Sequence, residues 1–147
     1  MMTVYLSGNK VAKQLTEHCP EAVAAVSDSA ILVKSEFIFN IAEYLKNSPE
    51  LDFNYLNYIT AVDYYDYFEL IYQLTSLQHN HTLVLKTRCY DRDNAVIPSV
   101  VSLWRGANLQ EREIYDLLGI SFEGHPNLKR LVLWEGFKGH PLRKEYL

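Results

Sequence analysis

Residues Leu56–Ser76 read LNYITAVDYYDYFELIYQLTS and contain two runs of alternating side chains separated by a short acidic and aromatic stretch. Residues 56–62 and 68–74 each show the period of two that is typical of a β-strand. Asp63-Tyr64-Tyr65-Asp66 lies between them, in the position of a hairpin loop. The stretch therefore predicts two antiparallel strands joined by a hairpin.

A third strand is predicted after Gln78-His79-Asn80-His81. Its apolar or small side chains share one side of the strand and its cations share the other: Leu83, Leu85, Thr87 and Cys89 against Lys86 and Arg88. Together with the hairpin, this gives a meander with one solvated face, which is typical of an antiparallel sheet.

The first fifty residues predict two helices and a strand pair. The segment Lys10–Cys19 reads as a helix that Pro20 ends. Val23–Val26 and Ala30–Lys34 read as strands. Ser35 is the expected N-cap of a second helix, with an apolar repeat from Phe37 to Leu45 and an end at Asn47-Ser48-Pro49. The expected fold class is α+β: a mostly antiparallel sheet with two to three helices and an extended, partner-docking C-terminal segment.

Pro98 opens the last section, which contains a third helix. Asn108 is its expected N-cap with Glu111 as capping-box partner, and Gly119 is the expected C′ residue. On a helical wheel, Ile114, Tyr115, Leu117 and Leu118 form an apolar arc, whereas Arg112, Glu113 and Asp116 share a charged face. The wheel predicts that the apolar arc packs on the sheet and that the charged face is solvated or docks on a partner.

The tripeptide Gly-His-Pro occurs at residues 124–126 and again at 139–141. Proline restricts the residue before it to extended backbone, so both histidines are predicted to project from turns. Two histidines without a third ligand at a recognisable spacing are a weak metal signal. The favoured interpretation is that each imidazole hydrogen-bonds a neighbouring carbonyl or carboxylate.

The bulk composition argues against several classes of protein function. The chain has 147 residues with a net charge of -4, which disfavours nucleic acid as the partner of the whole chain. Two cysteines outside any Cys-x-x-Cys pair argue against an iron–sulfur or zinc site held by this chain alone, although they leave one disulfide possible. We predict a single domain over residues 1–147, with a helix and strand region (1–52), a sheet and charged helix (53–120) and a docking tail (121–147). The sequence shows neither a signal peptide nor an apolar run long enough for a membrane span.

The C-terminal third carries a resemblance to a known family. The string Glu111-Arg112-Glu113, Asp116, Gly119-Ile120, Phe122, Gly124-His125-Pro126, Leu128, Arg130, Gly139 to Lys144, Glu145 and Tyr146 resembles the C subunit (30 kDa-type) of proton-translocating NADH:quinone oxidoreductase, respiratory complex I. Leu56–Ser76 is similar to a strand pair of that family. The resemblance runs from about residue 53 to the end, and the first fifty residues agree with it only in the order of elements.

The resemblance implies a non-catalytic structural subunit of the hydrophilic arm, on the cytoplasmic side of the inner membrane. It implies no flavin, iron–sulfur cluster or quinone ligand on this chain, with those groups on partner subunits. The implied partners are chiefly the D subunit and the B subunit, which form the quinone module whose electron transfer is coupled to proton translocation. Membrane contact is then made only through the complex. Equivalent subunits occur in complexes fed by ferredoxin or reduced deazaflavin and in related membrane hydrogenases, so the electron donor stays open.

The expected subunit interface combines the charged helix with the two tripeptides. It comprises Glu111, Arg112, Glu113, Asp116, Gly124, His125, Pro126, Arg130, Gly139, His140, Pro141, Leu142, Arg143 and Lys144. Substitution of Arg112, Asp116 or Arg143 by alanine is expected to impair assembly while the isolated domain stays folded. Two rival hypotheses are a stand-alone metal or acid–base enzyme using His125 and His140 with Glu113 and Asp116, and a nucleic-acid-binding module using the basic tail.

Overall fold

A computed structural model describes residues 4–126, 128, 139–140 and 142–143. The strands are β1 (Val4–Tyr5), β2 (Val23–Val26), β3 (Ala30–Lys34), β4 (Tyr55–Asp63), β5 (Phe68–Ser76), β6 (His81–Cys89), β7 (Val96–Pro98) and β8 (Ser121–Glu123); the helices are α1 (Gly8–His18), α2 (Ile38–Asn47) and α3 (Ala107–Leu118), and a 3₁₀ turn covers Ser35–Phe37. These elements confirm the predicted α+β class. The predicted docking tail from residue 121 lies mostly outside the described residues.

The main sheet, as described, has the strand order β2-β3-β6-β5-β4, with β1 beside the start of β6. The pairs β2–β3, β4–β5 and β5–β6 are antiparallel, which confirms both the hairpin and the meander. β3 and β1 pair with β6 in parallel, so the sheet is mixed. Both parallel strands come from the first 34 residues and pair with the edge of β6 that faces away from β5.

The alternation predicted for β4 is interrupted. A bulge between Leu56 and Tyr58 shifts the pairing with β5, so that Leu56 and Ile59 are buried and Tyr58 is exposed. A bulge places one extra residue in a strand and reverses the faces on which later side chains lie. The prediction of an unbroken alternation over residues 56–62 is therefore wrong, whereas β5 and β6 keep theirs throughout.

The N-terminal elements agree with the predictions except at their starts. Both predicted strands have the predicted bounds, and α2 ends at Asn47. The prediction of Ser35 as N-cap is wrong: Ser35 opens the 3₁₀ turn, and Phe37 precedes α2 without a side-chain cap. Helix α1 begins two residues earlier than predicted, at Gly8.

One face of the main sheet carries the core. Tyr72, Leu74, Leu83 and Leu85 are fully buried there, together with the apolar residues of α1, α2 and α3. β7 and β8 form a small parallel sheet that the sequence did not predict. This small sheet brings the segment before α3 and the segment after it side by side, and so fixes both ends of the helix. No helix of the described part of the chain is long and apolar enough to cross a membrane.

Candidate docking site at helix α3

Helix α3 begins one residue before the predicted cap. Gly106 occupies the N-cap position, and Asn108 lies inside the first turn, so the prediction of Asn108 as N-cap is wrong. The predicted end is confirmed because Gly119 adopts left-handed backbone (φ 78°) and its amide donates to the Tyr115 carbonyl oxygen at 2.9 Å. A residue other than glycine is strained in that conformation.

Glu111 does not cap the helix but is buried beneath it. Its Oε1 accepts from the Ser99 hydroxyl at 2.6 Å and its Oε2 accepts from the Val100 amide at 2.9 Å. The carboxylate thus ties α3 to the turn that leads into it, and the capping-box prediction is wrong. Burial raises the pKa of Glu111 to about 7, although both hydrogen bonds oppose that shift by stabilising the charged form.

The helical wheel predicts the burial of Glu111. With Arg112 at 0°, Glu111 falls at about 260°, inside the apolar arc. The capping-box pattern favoured a different role for the same residue. In the folded chain the fully buried Tyr72 lies near enough to Glu111 for the carboxylate to raise the tyrosine pKa further, beyond the larger effect of burial. Among the described residues the Tyr72 hydroxyl has no hydrogen-bond partner.

The predicted charged face is only partly on the surface. Asp116 has no exposed area, Arg112 is half-buried and Glu113 is exposed. The prediction that Asp116 lies on a solvated face is therefore wrong, because later residues of the chain return to this turn of the helix. Leu109, in contrast, is 58% exposed on the same side of α3.

The first Gly-His-Pro turn attaches to the beginning of α3. Gly124 has a φ of 87°, and the ring of His125 donates from Nε2 to the Asn108 carbonyl oxygen at 3.1 Å. The backbone amide of His125 donates to Phe122. The predicted role of this histidine, a hydrogen bond to a neighbouring carbonyl that shapes the loop, is confirmed.

The second Gly-His-Pro turn attaches to the end of α3. His140 donates from Nδ1 to the Asp116 carbonyl oxygen at 3.0 Å. The Leu142 amide donates to Leu117 at 2.9 Å, and Arg143 donates from Nε to Leu118. The last four carbonyl groups of an α-helix have no partner within the helix. With the Gly119 amide on Tyr115, all four are satisfied here, three of them by the second tripeptide and its neighbours.

The returning segment packs tightly on the helix end. A Cβ atom added at Gly119 would lie 2.6 Å from Cδ2 of His140 and 2.9 Å from Nη2 of Arg143. Arg143 also donates to the Arg92 carbonyl oxygen at 3.2 Å and lies over the ring of Phe68, with its guanidinium carbon 5.1 Å from the ring centroid. Its positive charge is placed where the negative end of the helix dipole favours it.

A partly buried ion pair that the sequence did not predict lies next to this segment. Arg92 donates to both oxygens of Asp63, at 2.6 and 2.9 Å, and stacks over Phe68 at 4.5 Å. Asp63 also accepts from the Tyr65 amide at 2.8 Å. The pair joins the β4–β5 hairpin to the loop after β6, and Arg143 joins that loop to α3. The sequence places these residues in separate loops, so no local signal could have paired them.

A shallow groove of about 120 Å³ lies between β4 and α3 and includes two residues of the candidate interface, Glu113 and Leu142. It is lined by Ile59, Thr60, Ala61, Gln110, Glu113, Ile114, Leu117, Leu118 and Leu142. Glu113 and the 59%-exposed Leu142 border it. Gln110 closes part of the strand edge because its Oε1 accepts from the Ile59 amide at 2.5 Å.

The predicted interface residues fall into three groups. Glu113, Gly124, Pro126, Gly139 and Leu142 are exposed; Arg112, His125, His140 and Arg143 are half-buried; Glu111 and Asp116 are buried. Arg130, Pro141 and Lys144 lie outside the described residues. The site therefore separates into residues that present a surface and residues that hold the helix in place.

The arrangement offers little for metal or acid–base chemistry. His125 and His140 are attached to opposite ends of α3, at carbonyl groups eight residues apart, which corresponds to about 12 Å along a helix. Within the described ranges, no three His, Cys, Asp or Glu side chains are grouped so that they could hold a metal ion. Cys19 and Cys89 are unpaired thiols, so the disulfide that the sequence left possible does not form.

Comparison with known proteins agrees with the resemblance. The model of a family described as "Respiratory-chain NADH dehydrogenase, 30 Kd subunit" matches residues 31–147. The match begins nearer the N-terminus than the resemblance predicted. Because it covers well over half of the chain, it decides the family.

Individual relatives extend the match to almost the whole chain. The chain is 37% identical to the C subunit of the NADH-quinone oxidoreductase of Roseiflexus sp. (strain RS-1), over 95% of this chain and 84% of that protein. It is 39% identical to the mitochondrial NADH dehydrogenase (ubiquinone) iron-sulfur protein 3 of Candida albicans, over 93% of this chain and 47% of that one. A chain in the membrane-bound sulfane sulfur reductase, an archaeal respiratory membrane complex, superposes with a TM-score of 0.69 at 26% identity, covering 87% of this chain and 77% of the other.

Proposed function

The chain belongs to the family of the 30 kDa subunit of respiratory-chain NADH dehydrogenase, and from that membership we propose that it is a non-catalytic structural subunit of a complex I-type NADH:quinone oxidoreductase. In this role it supports the quinone-reducing module of the hydrophilic arm while electron transfer drives proton translocation. Its own contribution is a rigid surface rather than a reaction.

The main support for this proposal is the structural role that the residues of the family motif have in the fold. Of the four residues that sequence analysis offered as acid–base or metal groups, His125 and His140 are hydrogen-bonded to backbone carbonyl groups of α3. Asp116 is buried, which leaves Glu113 as the exposed member of the set. A general acid or base must reach a substrate, and a buried or backbone-bound group does not. What the motif builds instead is a helix with both ends fixed and a groove along one side.

The cofactors are proposed to lie on other subunits. The name of the Candida albicans relative contains the words iron-sulfur, so the question can be tested directly. The two cysteines of this chain lie on β6 and just after α1, and a [4Fe–4S] cluster needs four thiolates. Iron analysis of the purified chain is expected to give far less than one iron atom per chain. A stoichiometric, chain-bound cluster would contradict the proposal.

The partners are proposed to be chiefly the D and B subunits of the quinone module, with membrane contact made only through the complex. The complex is proposed to lie peripherally on the cytoplasmic side of the inner membrane. A second candidate is the equivalent subunit of a related complex with another electron donor, and the similarity to the archaeal sulfane sulfur reductase complex favours it. The described residues contain nothing that selects the donor.

Pull-down of the tagged chain from detergent-solubilised native membranes tests the proposal. The wild-type chain is expected to recover a large assembly that includes iron–sulfur and membrane subunits. The presence or absence of an NADH-oxidising flavoprotein in that assembly separates the two candidates. Recovery of the chain alone, from the soluble fraction, would contradict both.

Substitutions in the same experiment address the α3 groove. Glu113→Arg changes an exposed side chain that borders the groove and is expected to reduce recovery of the assembly without unfolding the chain. Glu17→Arg, on the exposed face of α1, introduces the same charge change and is the matched control. Equal recovery with the two variants would remove the groove from the interface while leaving membership of the complex intact.

A further inference from the structure

The face of the main sheet that points away from the core has an unusual charge arrangement. Leu32 and Lys34 of β3 alternate with core residues, as do Lys86 and Arg88 of β6. None of these four side chains belongs to the core cluster. The helices that the structure describes bury their apolar residues on the opposite face, so this face is open within the described part of the chain.

Three cations are immediate neighbours on this face. Lys34 lies directly opposite Arg88 in the parallel β3–β6 pair, and Lys86 is two residues from Arg88 on the same strand. Like charges directly opposite each other destabilise a sheet. Glu69 of β5 accepts from Arg88 Nε at 3.0 Å, whereas neither Lys34 nor Lys86 makes an ion pair with any described residue.

The cluster is not a by-product of composition, because the whole chain has a net charge of -4. Glu69 pairs with Arg88 but with neither lysine. A cluster of like charges that is only partly compensated within the described residues costs stability, and such a cost points to function. The missing contact here is a source of negative charge near Lys34 and Lys86.

Aromatic residues extend the same face. The Arg88 guanidinium lies over the ring of Tyr67, 4.4 Å from its centroid, and Tyr67 lies 5.4 Å from Tyr90, which is 66% exposed. Two concavities of about 210 and 180 Å³ lie on either side of Arg88 and share Leu32 as part of their lining. Arginine and tyrosine next to an apolar pocket are the residues that dominate binding energy in protein interfaces. The stacked guanidinium is held in place before any partner arrives, which lowers the entropic cost of binding.

We propose that this basic sheet face, comprising Leu32, Lys34, Lys86, Arg88 and Tyr90, docks an acidic segment of a neighbouring protein subunit. The inference rests on the proposed function, since that function supplies the neighbouring subunit. Carboxylates of the segment pair with the two lysines, and an apolar side chain of the segment packs on Leu32.

A protein segment fits this face better than a polyanion does. Of the three cations on this face, two make no ion pair with a described residue. Glu36 and Glu69 line the same two concavities. Nucleic acid or an anionic membrane would meet these carboxylates and the overall charge of -4, both of which repel phosphate. A peptide can place its few carboxylates at the lysines and avoid the glutamates.

The test is a charge reversal with a matched control. Lys34→Glu/Lys86→Glu reverses two charges of the basic sheet face. Lys10→Glu/Lys13→Glu makes the same change in net charge on the exposed face of α1 and is the control. In pull-downs from native membranes at about 0.15 M salt, the face variant is expected to recover the assembly at least tenfold less than the wild type, whereas the control variant recovers it normally. The melting temperature of the isolated face variant is expected to stay equal or rise, because Lys34→Glu places a carboxylate opposite Arg88.

Photo-crosslinking identifies the occupant. A benzoylphenylalanine at Tyr90 is expected to crosslink to a segment of a co-purifying subunit rich in Asp and Glu, and the same group at Leu77, which is 64% exposed in the β5–β6 turn, is not. Equal recovery of the two double variants would overturn the inference and leave the proposed function standing. Recovery of the wild-type chain without any partner would overturn both.

Two further results would also overturn the proposal that this face docks an acidic protein segment. Labelled single-stranded RNA that binds the purified chain and is released by Lys34→Glu/Lys86→Glu would assign the face to nucleic acid. Binding to vesicles of anionic phospholipid, lost in the same variant, would assign it to a membrane surface.

Discussion

Glu111 shows how a single residue in a familiar-looking pattern can be misassigned. The Asn108-to-Glu111 spacing satisfies a capping box, yet the carboxylate is buried and accepts hydrogen bonds from Ser99 and Val100. The helical angle of Glu111 within the apolar arc was the better signal. Asp63, in contrast, gave no signal at all, because its partner Arg92 is brought to it only by the closure of the meander.

The buried Glu111 predicts a pH dependence of stability. Burial raises its pKa to about 7, so the folded state binds a proton more tightly than the unfolded chain does. This contribution to stability is complete below about pH 4.5 and is lost as the pH rises to about 7, an effect of up to roughly 3 kcal/mol. Urea unfolding at pH 5 and pH 8 is expected to show a less stable protein at pH 8.

Glu111→Gln isolates this effect from other ionisable groups. The amide keeps an acceptor for Ser99 but leaves the Val100 amide without one, which costs about 1–2 kcal/mol at low pH. At pH 8 the free energy of unfolding of Glu111→Gln is expected to approach or exceed that of the wild type. Parallel pH profiles for the two proteins would contradict a protonated Glu111 in the fold.

Gly119 and Gly124 provide a matched pair for backbone strain and packing. Both have positive φ, 78° and 87°, so alanine at either position costs about 1–2 kcal/mol in backbone energy. At Gly119 the new Cβ collides with His140 and Arg143, whereas at Gly124 no atom of the described residues lies within 4 Å of it. Gly119→Ala is expected to lower the free energy of unfolding by roughly 1–3 kcal/mol more than Gly124→Ala. Equal losses would mean that the second tripeptide does not pack on the helix end.

At the scale of elements, the strands were more predictable than the helix ends. The period of two in β5 and β6 is set by burial of one face, and it survives in the sequence because every second side chain enters the core. The bulge in β4 was not visible, since Leu56, Tyr58 and Ile59 are all compatible with a strand face. The sequence indicated the end of α3 only through Gly119. The capping of that end by His140, Leu142 and Arg143 depends on a segment that lies more than twenty residues further along the chain.

Substitutions of Arg143 measure how strongly the end of α3 depends on the segment that packs against it. Arg143 donates to the carbonyl groups of Leu118 and Arg92, so Arg143→Ala leaves both unsatisfied, at a cost of roughly 2–3 kcal/mol. Arg143→Lys keeps the charge but can reach only one of the two carbonyls, and it is expected to lose about half as much. Hydrogen exchange is expected to accelerate at Gly119 and in the last turn of α3 while β5 and β6 stay protected. Unchanged exchange at Gly119 would show that the cap is not needed.

The Asp63–Arg92 pair predicts strong coupling between two loops. Arg92→Met leaves Asp63 buried and without its bidentate donor, which is expected to cost about 3–5 kcal/mol. Asp63→Ala/Arg92→Met removes both charges and is expected to lose much less than the sum of the single variants. A double-mutant cycle by urea denaturation gives the coupling energy, and additive losses would contradict a buried pair.

At the scale of the whole molecule, the same corrections change which substitutions test assembly. Asp116→Ala and Arg143→Ala were expected to impair assembly with the domain still folded, but Asp116 is buried and Arg143 caps α3, so both perturb the fold first. Exposed or open positions such as Glu113, Lys34 and Lys86 separate docking from folding. The family was readable from the sequence because its motif is long; the use of that motif, to fix a helix, was readable only from the fold.

Native gel electrophoresis of membranes from cells that lack this chain, with quinone reduction measured in parallel, is the decisive test of the proposed structural role. If the chain is a structural subunit, we expect the full-size complex and its quinone-reducing activity to be lost without it, and we expect the wild-type chain to restore both. A complex of unchanged size with undiminished quinone reduction in the absence of the chain would contradict the proposed function.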